Sequence, residues 1–307
     1  MFSMATESKA GFCFVATGDK YRDEAAQAAR YVRNTNPGRP ICLVCDVPVV
    51  DGLWDDVVIL AKPAFGFRDK IAMGLCPYER FLYLDTDTMV VANLDGVFEL
   101  LNRFDMVGCQ LFEGHDYSVE GIPDCFPDFC GGVLGFRRSP EIADFFNRWA
   151  VEYDRFREEN TGNYYHPANT SDQKSLRYSV YFSDLRHSVL PPEFNFIPQH
   201  LAPACLPVSI FHGRPIKALQ GLEPRMNAKF GIRAYIPLLD AVVGGDPPMA
   251  ELTRIFVRVT AQILRRIARR VLPRWVLDWL RRFKLVRHSV LAQQFETEDP
   301  SAGKKWR

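Results

Sequence analysis

The sequence lacks the apolar segments by which chains are exported or inserted into membranes. It has no apolar run of the length that a transmembrane helix needs, so we expect no membrane span. Residues 1–10 contain Glu7 and Lys9 and no apolar core of a signal peptide, so we expect a disordered, uncleaved start. Internal repeats and low-complexity tracts are also absent, which excludes solenoid and fibrous classes.

Net charge is likewise small, at +1, but it is unevenly spread. Residues 251–288 hold eleven Arg and Lys against two acidic residues, with apolar residues at helical spacing. This pattern predicts a glycine- and proline-rich linker at 244–249, basic amphipathic helices over 250–290 and a disordered end at 291–307. Such helices suit an anionic membrane surface, contacted through residues 250–287, and place the protein in the cytoplasm on the inner face of a membrane. Packing on the protein body and a dimer contact are the alternatives, and the interleaved Leu, Val and Trp argue against nucleic acid.

Cysteine is present eight times, but without an export signal we expect buried, reduced thiols in a cytosolic protein. Cys42 and Cys45 have CxxC spacing. No second Cys or His pair accompanies them at zinc-like spacing, so a zinc or redox role is not expected.

Short apolar runs alternate with helical patterns over residues 11–243, and hydrophobic residues make up 47% of the chain. This alternation predicts one large α/β domain with a mainly parallel central sheet flanked by helices. Strands are predicted at Gly11–Ala16, Ile41–Cys45, Val57–Leu60, Phe81–Leu84, Met106–Leu111 and Val133–Phe136. Helices are predicted at Tyr21–Asn34, Val97–Arg103, Pro140–Glu158 and shortly after Asp172.

Two aspartates, Asp85 and Asp87, follow the predicted strand Phe81–Leu84 directly. Residues i and i+2 of an extended chain point the same way, so the two carboxylates can converge on one ligand. Hard oxygen ligands suit Mg²⁺ or Mn²⁺, which commonly share their shell with phosphate oxygens. A capped turn, in which the carboxylates accept backbone N–H bonds, is the alternative.

The segment Tyr78–Thr88 resembles the DxD segment of GT-A glycosyltransferases, and is most similar to the family-eight group of glycogenin-like and lipopolysaccharide galactosyltransferase-like enzymes. Further segments match that family in order over residues 11 to about 220. They are Thr17–Tyr21, Lys70, Phe129–Val133, Asp172-Gln173, and His212 with Gly213 and Lys217. The resemblance implies a GT-A fold and a metal-dependent transferase. It would move a sugar, with retention, from a nucleotide sugar, most simply a UDP-sugar, to a glycan or lipid-linked acceptor.

The resemblance also implies roles for individual residues. A Mn²⁺ or Mg²⁺ ion would be held by Asp85, Asp87 and His212. The residues implied to contact the donor are Thr17, Tyr21, Arg68, Lys70, Asp85, Thr86, Asp87, Gly131, Gly132, Gly213 and Lys217. The residues implied to act in catalysis are Asp172, Gln173 and Lys217.

Each of these residues also has a plainer interpretation. His212 follows an apolar run and could be a hydrogen-bonded core residue, and Lys217 could be a solvated surface lysine. Asp172 could cap a helix rather than face the sugar or acceptor.

The remaining donor residues have plain alternatives of the same kind. Arg68 and Lys70 could belong to a solvated or ion-paired helix face, and Tyr21 could be a packing residue. Gly131 and Gly132 could form a bulge or turn rather than let the backbone approach a ligand.

The sequence departs from the family pattern at three motifs. The Asn usually found after Asp172-Gln173 is absent, with Arg177 nearby. Cys130 and Gly131 stand where the family has Asn-Ser. The Pro-Trp pair expected after Lys217 is absent, and the spacing from His212 is one residue short. Two other functions therefore stay open: a sugar-phosphate nucleotidyltransferase, although residues 17–20 only weakly resemble the glycine-rich first loop of that class, and a membrane-recruited binding module without catalytic activity.

Overall fold

A seven-stranded mixed sheet forms the centre of the protein, as seen in a computed structural model that describes residues 9–111, 119–159, 171–200, 203–228, 231–244 and 253–261. Its strands are β1 (Ala10–Ala16), β2 (Ile41–Cys45), β3 (Asp56–Ile59), β4 (Arg80–Leu84), β6 (Met106–Gln110), β7 (Phe129–Arg137) and β8 (His187–Leu190). Their order in the sheet is β3-β2-β1-β4-β7-β6-β8. Four of the six strand pairs are parallel, and β7 runs antiparallel to both neighbours.

Two smaller sheets stand beside the central one. In the first, β5 (Thr88–Val90) pairs antiparallel with β10 (Ile210–His212). The second consists of β9 (Pro203–Ala204), β11 (Arg233–Ile236) and β12 (Ala241–Val243).

The helices cover both faces of the central sheet. The α-helices are α1 (Asp19–Thr35), α2 (Asp95–Leu100), α3 (Pro140–Glu159), α4 (Gln173–Tyr181) and α5 (Ile216–Asn227), and 3-10 helices occupy Phe67–Leu75, Pro192–Phe194 and Pro198–His200. Residues 253–261 are also helical.

The apolar strand β1 shows how the two faces are covered. Alternate residues of a strand point to opposite faces. Phe12 and Phe14 pack with the apolar sides of α1 and α2, whereas Cys13 and Val15 pack with α3, α4 and the 3-10 helix Phe67–Leu75. Burial on both faces explains why this strand reads as a continuous apolar run in the sequence.

The predicted α/β class, with a mainly parallel sheet flanked by helices, is confirmed. Some local predictions were wrong. Ala10, assigned to a disordered start, is a buried residue of β1. The pair Gly131-Gly132, placed before a strand, lies inside β7, and the 3-10 helix Phe67–Leu75 was not predicted.

Several other predictions concern residues outside the described part. These are the disordered ends at 1–8 and 291–307, the linker beyond Gly244, and most of the basic tail. The helix expected in that tail is present over 253–261, where Arg258 Nη2 lies 3.2 Å from Asp240 Oδ2 of the body. None of the helices in the described ranges is both long and apolar enough to cross a bilayer.

Candidate functional site

A cavity of about 490 Å³ opens where the parallel strands β1 and β4 end. Ligands of open α/β sheets commonly bind beyond the carboxyl ends of the strands, because the loops that follow the strands meet there. Predicted site residues that line the cavity are Thr17, Tyr21, Lys70, Asp85, Thr86, Asp87 and His212.

Three possible metal ligands converge at this cavity. Carboxylate oxygens of Asp85 and Asp87 and a ring nitrogen of His212 all lie within 4.8 Å of one another. His212 Nε2 is 3.6 Å from Asp85 Oδ2 and 3.3 Å from Asp87 Oδ1. The pairing of β10 with β5 produces this approach, because it sets His212 opposite Thr88, the residue after Asp87.

Asn195 fixes the orientation of the His212 ring. Its Oδ1 lies 2.8 Å from His212 Nδ1, so that nitrogen is the donor and Nε2 is the nitrogen that faces the two carboxylates. Histidines that ligate metals usually donate their second N–H in this way, which fixes the tautomer. Sequence analysis missed Asn195 because nothing in its local sequence marks it.

The charges of Asp87 and His212 stabilise each other. Burial opposes ionisation of both groups. The adjacent His212, with Arg214 and Lys70 nearby, nevertheless lowers the pKa of Asp87, and the Asp87 carboxylate raises the pKa of His212 well above its ordinary value. A cation that entered here would replace the ring proton between the two carboxylates.

Lys70 joins the carboxylate of Asp85 to a second, buried carboxylate. Its Nζ lies 3.0 Å from Asp85 Oδ2 and 3.6 Å from Asp172 Oδ2. Burial works against the charged form of Lys70, but the two carboxylates raise its pKa. Lys70 is therefore an ion-paired residue of the site and not part of a solvated helix face.

Asp172 does not cap α4 with its side chain, although it stands at the N-cap position. The Oγ of Ser171 accepts the N–H of Gln173 instead, at 3.2 Å. The Asp172 side chain is 1% exposed and points towards Lys70, and burial raises its pKa while Lys70 opposes that rise. The helix-cap interpretation of Asp172 is thus wrong.

The two glycines of β7 make room for site side chains. A Cβ at Gly131 would lie 2.4 Å from Asp172 Oδ2, and one at Gly132 would lie 2.3 Å from His212 Cε1 and 2.9 Å from Asp85 Oδ2. Such distances are far inside van der Waals contact, so no other residue fits without displacing the site. Both glycines lie inside β7, where its pairing with β6 is irregular between Phe129 and Leu134, so the bulge alternative also holds here and the turn alternative does not.

Arg214 is a site residue that sequence analysis did not identify. Its Nη1 lies 3.1 Å from Asp87 Oδ2 and its Nη2 lies 2.7 Å from Glu24 Oε2. Burial disfavours its charge, but Glu24 and Asp87 raise its pKa. The available signal was a basic residue directly after Gly213, within the segment that also contains Lys217.

The other predicted residues lie around this centre at different distances. Lys217 is exposed on α5 and lines a separate cavity of about 350 Å³, which it shares with Arg214. Arg68 forms an ion pair at 3.0 Å with Asp154, in agreement with its plainer interpretation as part of an ion-paired helix face.

Two further predicted residues contact the backbone near the site. The N–H of Gly213 donates to the Asp87 carbonyl at 2.9 Å. The Gln173 amide, oriented to satisfy both neighbours, contacts the backbone of β7 on either side of Cys130.

Asp69 organises the opposite wall of the cavity and was also missed. Its carboxylate accepts the Thr17 hydroxyl at 2.8 Å and the backbone N–H groups of Ala64 and Phe65, each at 2.7 Å. Phe65 is held with φ of 55°, a left-handed conformation that a bulky residue rarely adopts. Its ring, 62% exposed, forms an aromatic rim to the cavity with Tyr21 and Phe67.

No family model matches the chain, and no curated protein matches its sequence. Among solved structures, the galactosyltransferase LgtC in complex with donor and acceptor sugar analogues is 14% identical, with a TM-score of 0.48, over 67% of this chain and 87% of that one. The glycosyltransferase GlyE of Streptococcus pneumoniae TIGR4 is 20% identical, with a TM-score of 0.44, over 62% and 48%. The apo form of mouse xyloside xylosyltransferase 1 is 13% identical, with a TM-score of 0.44, over 66% and 97%.

Proposed function

We propose that this chain is a metal-dependent glycosyltransferase of the GT-A type, which moves a sugar from a nucleotide-sugar donor to a hydroxyl group of an acceptor. The observation that carries the proposal is the convergence of Asp85, Asp87 and His212 at one cavity. Lys70 and Arg214 add positive charge at the same place. The same aspartates belong to the segment that resembles the DxD motif.

The residues present fit a divalent cation. Two carboxylates and one imidazole supply three ligands on one side, and the open cavity on the other side leaves room for phosphate oxygens. The mixed oxygen and nitrogen set supports Mn²⁺ ahead of Mg²⁺, which prefers an all-oxygen shell. When bound, such an ion stabilises the charge that develops on a departing diphosphate.

The side chains of the chain itself supply the rest of the donor site. Arg214 places a guanidinium at the cavity, held there by Glu24 and Asp87, and it can exchange these partners for phosphate oxygens, to which guanidinium groups form strong charge-assisted hydrogen bonds. The rim of Tyr21, Phe65 and Phe67 offers aromatic faces for stacking of the nucleotide base. We assign the base as uracil, hence a UDP-sugar donor, from the family resemblance.

Retention of configuration is the stereochemical course that we assign. Inversion needs a protein base at the acceptor hydroxyl, and a carboxylate such as Asp172 is the candidate for it. Asp172 is buried against Lys70 and does not line the described cavity, which supports a course in which the leaving phosphate accepts the proton. Gln173 and Asp172 then act as supports of the site.

The acceptor that we assign is a glycan or a lipid-linked glycan at an anionic membrane surface. The basic residues of 250–287 and the exposed Phe256 and Val257 are the features that support it. In liposome co-sedimentation with anionic lipid, truncation after Gly244 should move the protein from pellet to supernatant. Equal sedimentation of the full and truncated chains would contradict membrane attachment through residues 250–287. It would favour packing of these residues on the protein body, which the Arg258–Asp240 ion pair indicates.

A donor panel tests the proposed activity. UDP-, GDP- and dTDP-sugars are incubated with the protein and Mn²⁺, and release of the nucleoside diphosphate is measured beside an Asp85→Asn variant. We expect release from one UDP-sugar that chelation abolishes and that the variant lacks. Pyrophosphate formed from a nucleoside triphosphate and a sugar phosphate would instead identify a nucleotidyltransferase. Metal-dependent donor binding with no release would identify an inactive binding module.

A further inference from the structure

Three cysteine thiols meet inside the protein, apart from the candidate active site. The sulfur atoms of Cys13, Cys42 and Cys76 all lie within 4.8 Å of one another, and all three residues are 0% exposed. Cys13 and Cys42 are register partners in the neighbouring parallel strands β1 and β2, and Cys76 directly follows the 3-10 helix Phe67–Leu75. The cluster combines residues far apart in the chain, so the CxxC spacing of Cys42 gave no hint of it.

The CxxC partner itself is not part of the cluster. Cys45 packs with the apolar cluster on the α1 side of the sheet, whereas Cys42 packs on the α3 side. Within the described residues the cysteine cluster holds three ligands and no fourth. Structural zinc requires four, so zinc does not match this site.

The surroundings restrict the charge that a bound ion could carry. Tyr83, Met73 and Ile71 belong to the same buried apolar cluster, and a net charge in such a place is strongly disfavoured. Three thiolates on a trivalent ion form a neutral complex, whereas three thiolates on a monovalent or divalent ion leave uncompensated negative charge. A neutral, three-coordinate complex is therefore the one that this interior accommodates.

We infer that Cys13, Cys42 and Cys76 form a binding site for a trivalent thiophilic ion, of which arsenite is the available probe. Arsenous acid and three thiols give an arsenic tris-thiolate and three molecules of water. Three As–O bonds and three S–H bonds break, three As–S bonds and three O–H bonds form, and no oxidation state changes. Soft sulfur ligands are the ones that such ions prefer.

A backbone contact of Cys76 supports this inference. The Arg138 guanidinium donates to the Cys76 carbonyl at 2.8 Å and holds this end of the 3-10 helix in place. The Cys76 thiol is therefore held beside the thiols of Cys13 and Cys42.

The cluster lies on the elements that carry the donor cavity. Strand β1 contains Cys13 and ends at Ala16, directly before Thr17, and the 3-10 helix that ends before Cys76 contains Asp69 and Lys70. An ion that draws the three sulfur atoms together would shift these elements relative to each other. Occupation of the thiol site should accordingly weaken binding of a nucleotide in the cavity.

Native mass spectrometry of the full chain tests the site. The exposed cysteines are first replaced, as Cys125→Ser and Cys205→Ser, and the reduced protein is incubated anaerobically with sodium arsenite and freed of excess. We expect one arsenic atom per chain with loss of three protons, and a higher Tm, because a ligand that binds the folded state stabilises it. A protein that retains no arsenic and whose Tm does not change would overturn the inference.

Single substitutions then locate the bound ion. Cys76→Ser should abolish arsenic retention, while Cys109→Ser, at a buried cysteine outside the cluster, should leave it intact. Far-UV circular dichroism checks that each variant folds. Retention by a folded Cys76→Ser protein would exclude this cluster as the site, and because the assay contains no donor, its outcome is independent of the proposed transferase activity.

Discussion

The Nδ1 of His212 lies 2.8 Å from the amide oxygen of Asn195, and this contact turns Nε2 of the ring towards Asp85 and Asp87. The strand pairing of β10 brings His212 close, but Asn195 decides which nitrogen faces the carboxylates. The metal site that we propose therefore depends on a residue that would not touch the metal.

Replacing Asn195 should weaken metal binding without unfolding the protein. In Asn195→Ala the ring loses its acceptor and can rotate, and loss of such a supporting contact typically costs about 10–100-fold in metal affinity or activity. Mn²⁺ titration by calorimetry measures the effect. Asn93→Ala, at an exposed asparagine, is the control, and equal affinities of the two variants would show that Asn195 does not position the ligand.

Gly132 should not tolerate even one additional methyl group. In Gly132→Ala the new Cβ meets His212 and Asp85, so we expect loss of Mn²⁺ binding together with a stability loss of about 1–3 kcal/mol from overpacking. Urea unfolding and metal titration measure the two effects. Gly96→Ala, in α2 with open space around it, should not destabilise the protein, and Mn²⁺ affinity of wild-type strength in Gly132→Ala would contradict the site geometry.

Lys70 should be essential to stability because its charge compensates the negative charges of the Asp85 and Asp172 carboxylates. Removal of one partner from a buried ion pair typically costs about 3–5 kcal/mol, and we expect Lys70→Met to lose an amount of this order in urea unfolding at neutral pH. The double variant Lys70→Met/Asp172→Asn should recover part of the loss. An unchanged deficit in the double variant would show that Asp172 is not the residue left uncompensated.

The same variant should show a specific dependence on pH. Burial already raises the pKa of Asp172 in the folded protein, and loss of the Lys70 charge, which opposes that rise, should raise it further. Between the pKa of Asp172 in the unfolded state and its higher pKa in the folded variant, the folded state binds more protons than the unfolded state. The loss of unfolding free energy in Lys70→Met should therefore become smaller as the pH falls towards the ordinary pKa of an Asp side chain. A deficit that is independent of pH from neutral to mildly acidic conditions would contradict this account.

Arg214 and Lys217 should differ in their importance for the donor. Charge-assisted hydrogen bonds are worth about 1.5–3 kcal/mol, so Arg214→Ala should weaken UDP binding by roughly tenfold or more. Lys217→Ala should have a smaller effect, because Lys217 lines the separate cavity beside α5. Arg30→Ala, on the exposed side of α1, serves as the control, and a larger effect of Lys217→Ala would restore the assignment made from the motif.

The sequence predicted site residues correctly where polar side chains directly follow an apolar strand. Asp85 and Asp87 could be found because they directly follow an apolar strand. The extended geometry expected for them was wrong, since Thr86 and Asp87 form a turn in which the Thr88 N–H donates to the Asp85 carbonyl at 3.2 Å. Asn195 and Asp69 could not be found, because their contacts arise from tertiary packing that leaves no periodic signal, whereas Arg214 had a signal in its position next to Gly213.

The glycines of β7 show the same limit on prediction. The adjacent glycines Gly131 and Gly132 are evident in the sequence. Whether the missing Cβ allows a turn, the approach of a ligand or the approach of a neighbouring side chain depends on what lies opposite the glycine in the fold. The thiol cluster is a further case, since its three cysteines come from separate elements and only the fold brings them together.

A crystal structure with Mn²⁺ and UDP, with anomalous diffraction recorded at the manganese edge, tests the central claim most directly. We predict one anomalous peak bound by Asp85, Asp87 and His212, with diphosphate oxygens completing its shell and Arg214 beside them. A UDP complex with no anomalous peak between these three residues, or with manganese bound elsewhere in the chain, would contradict the account.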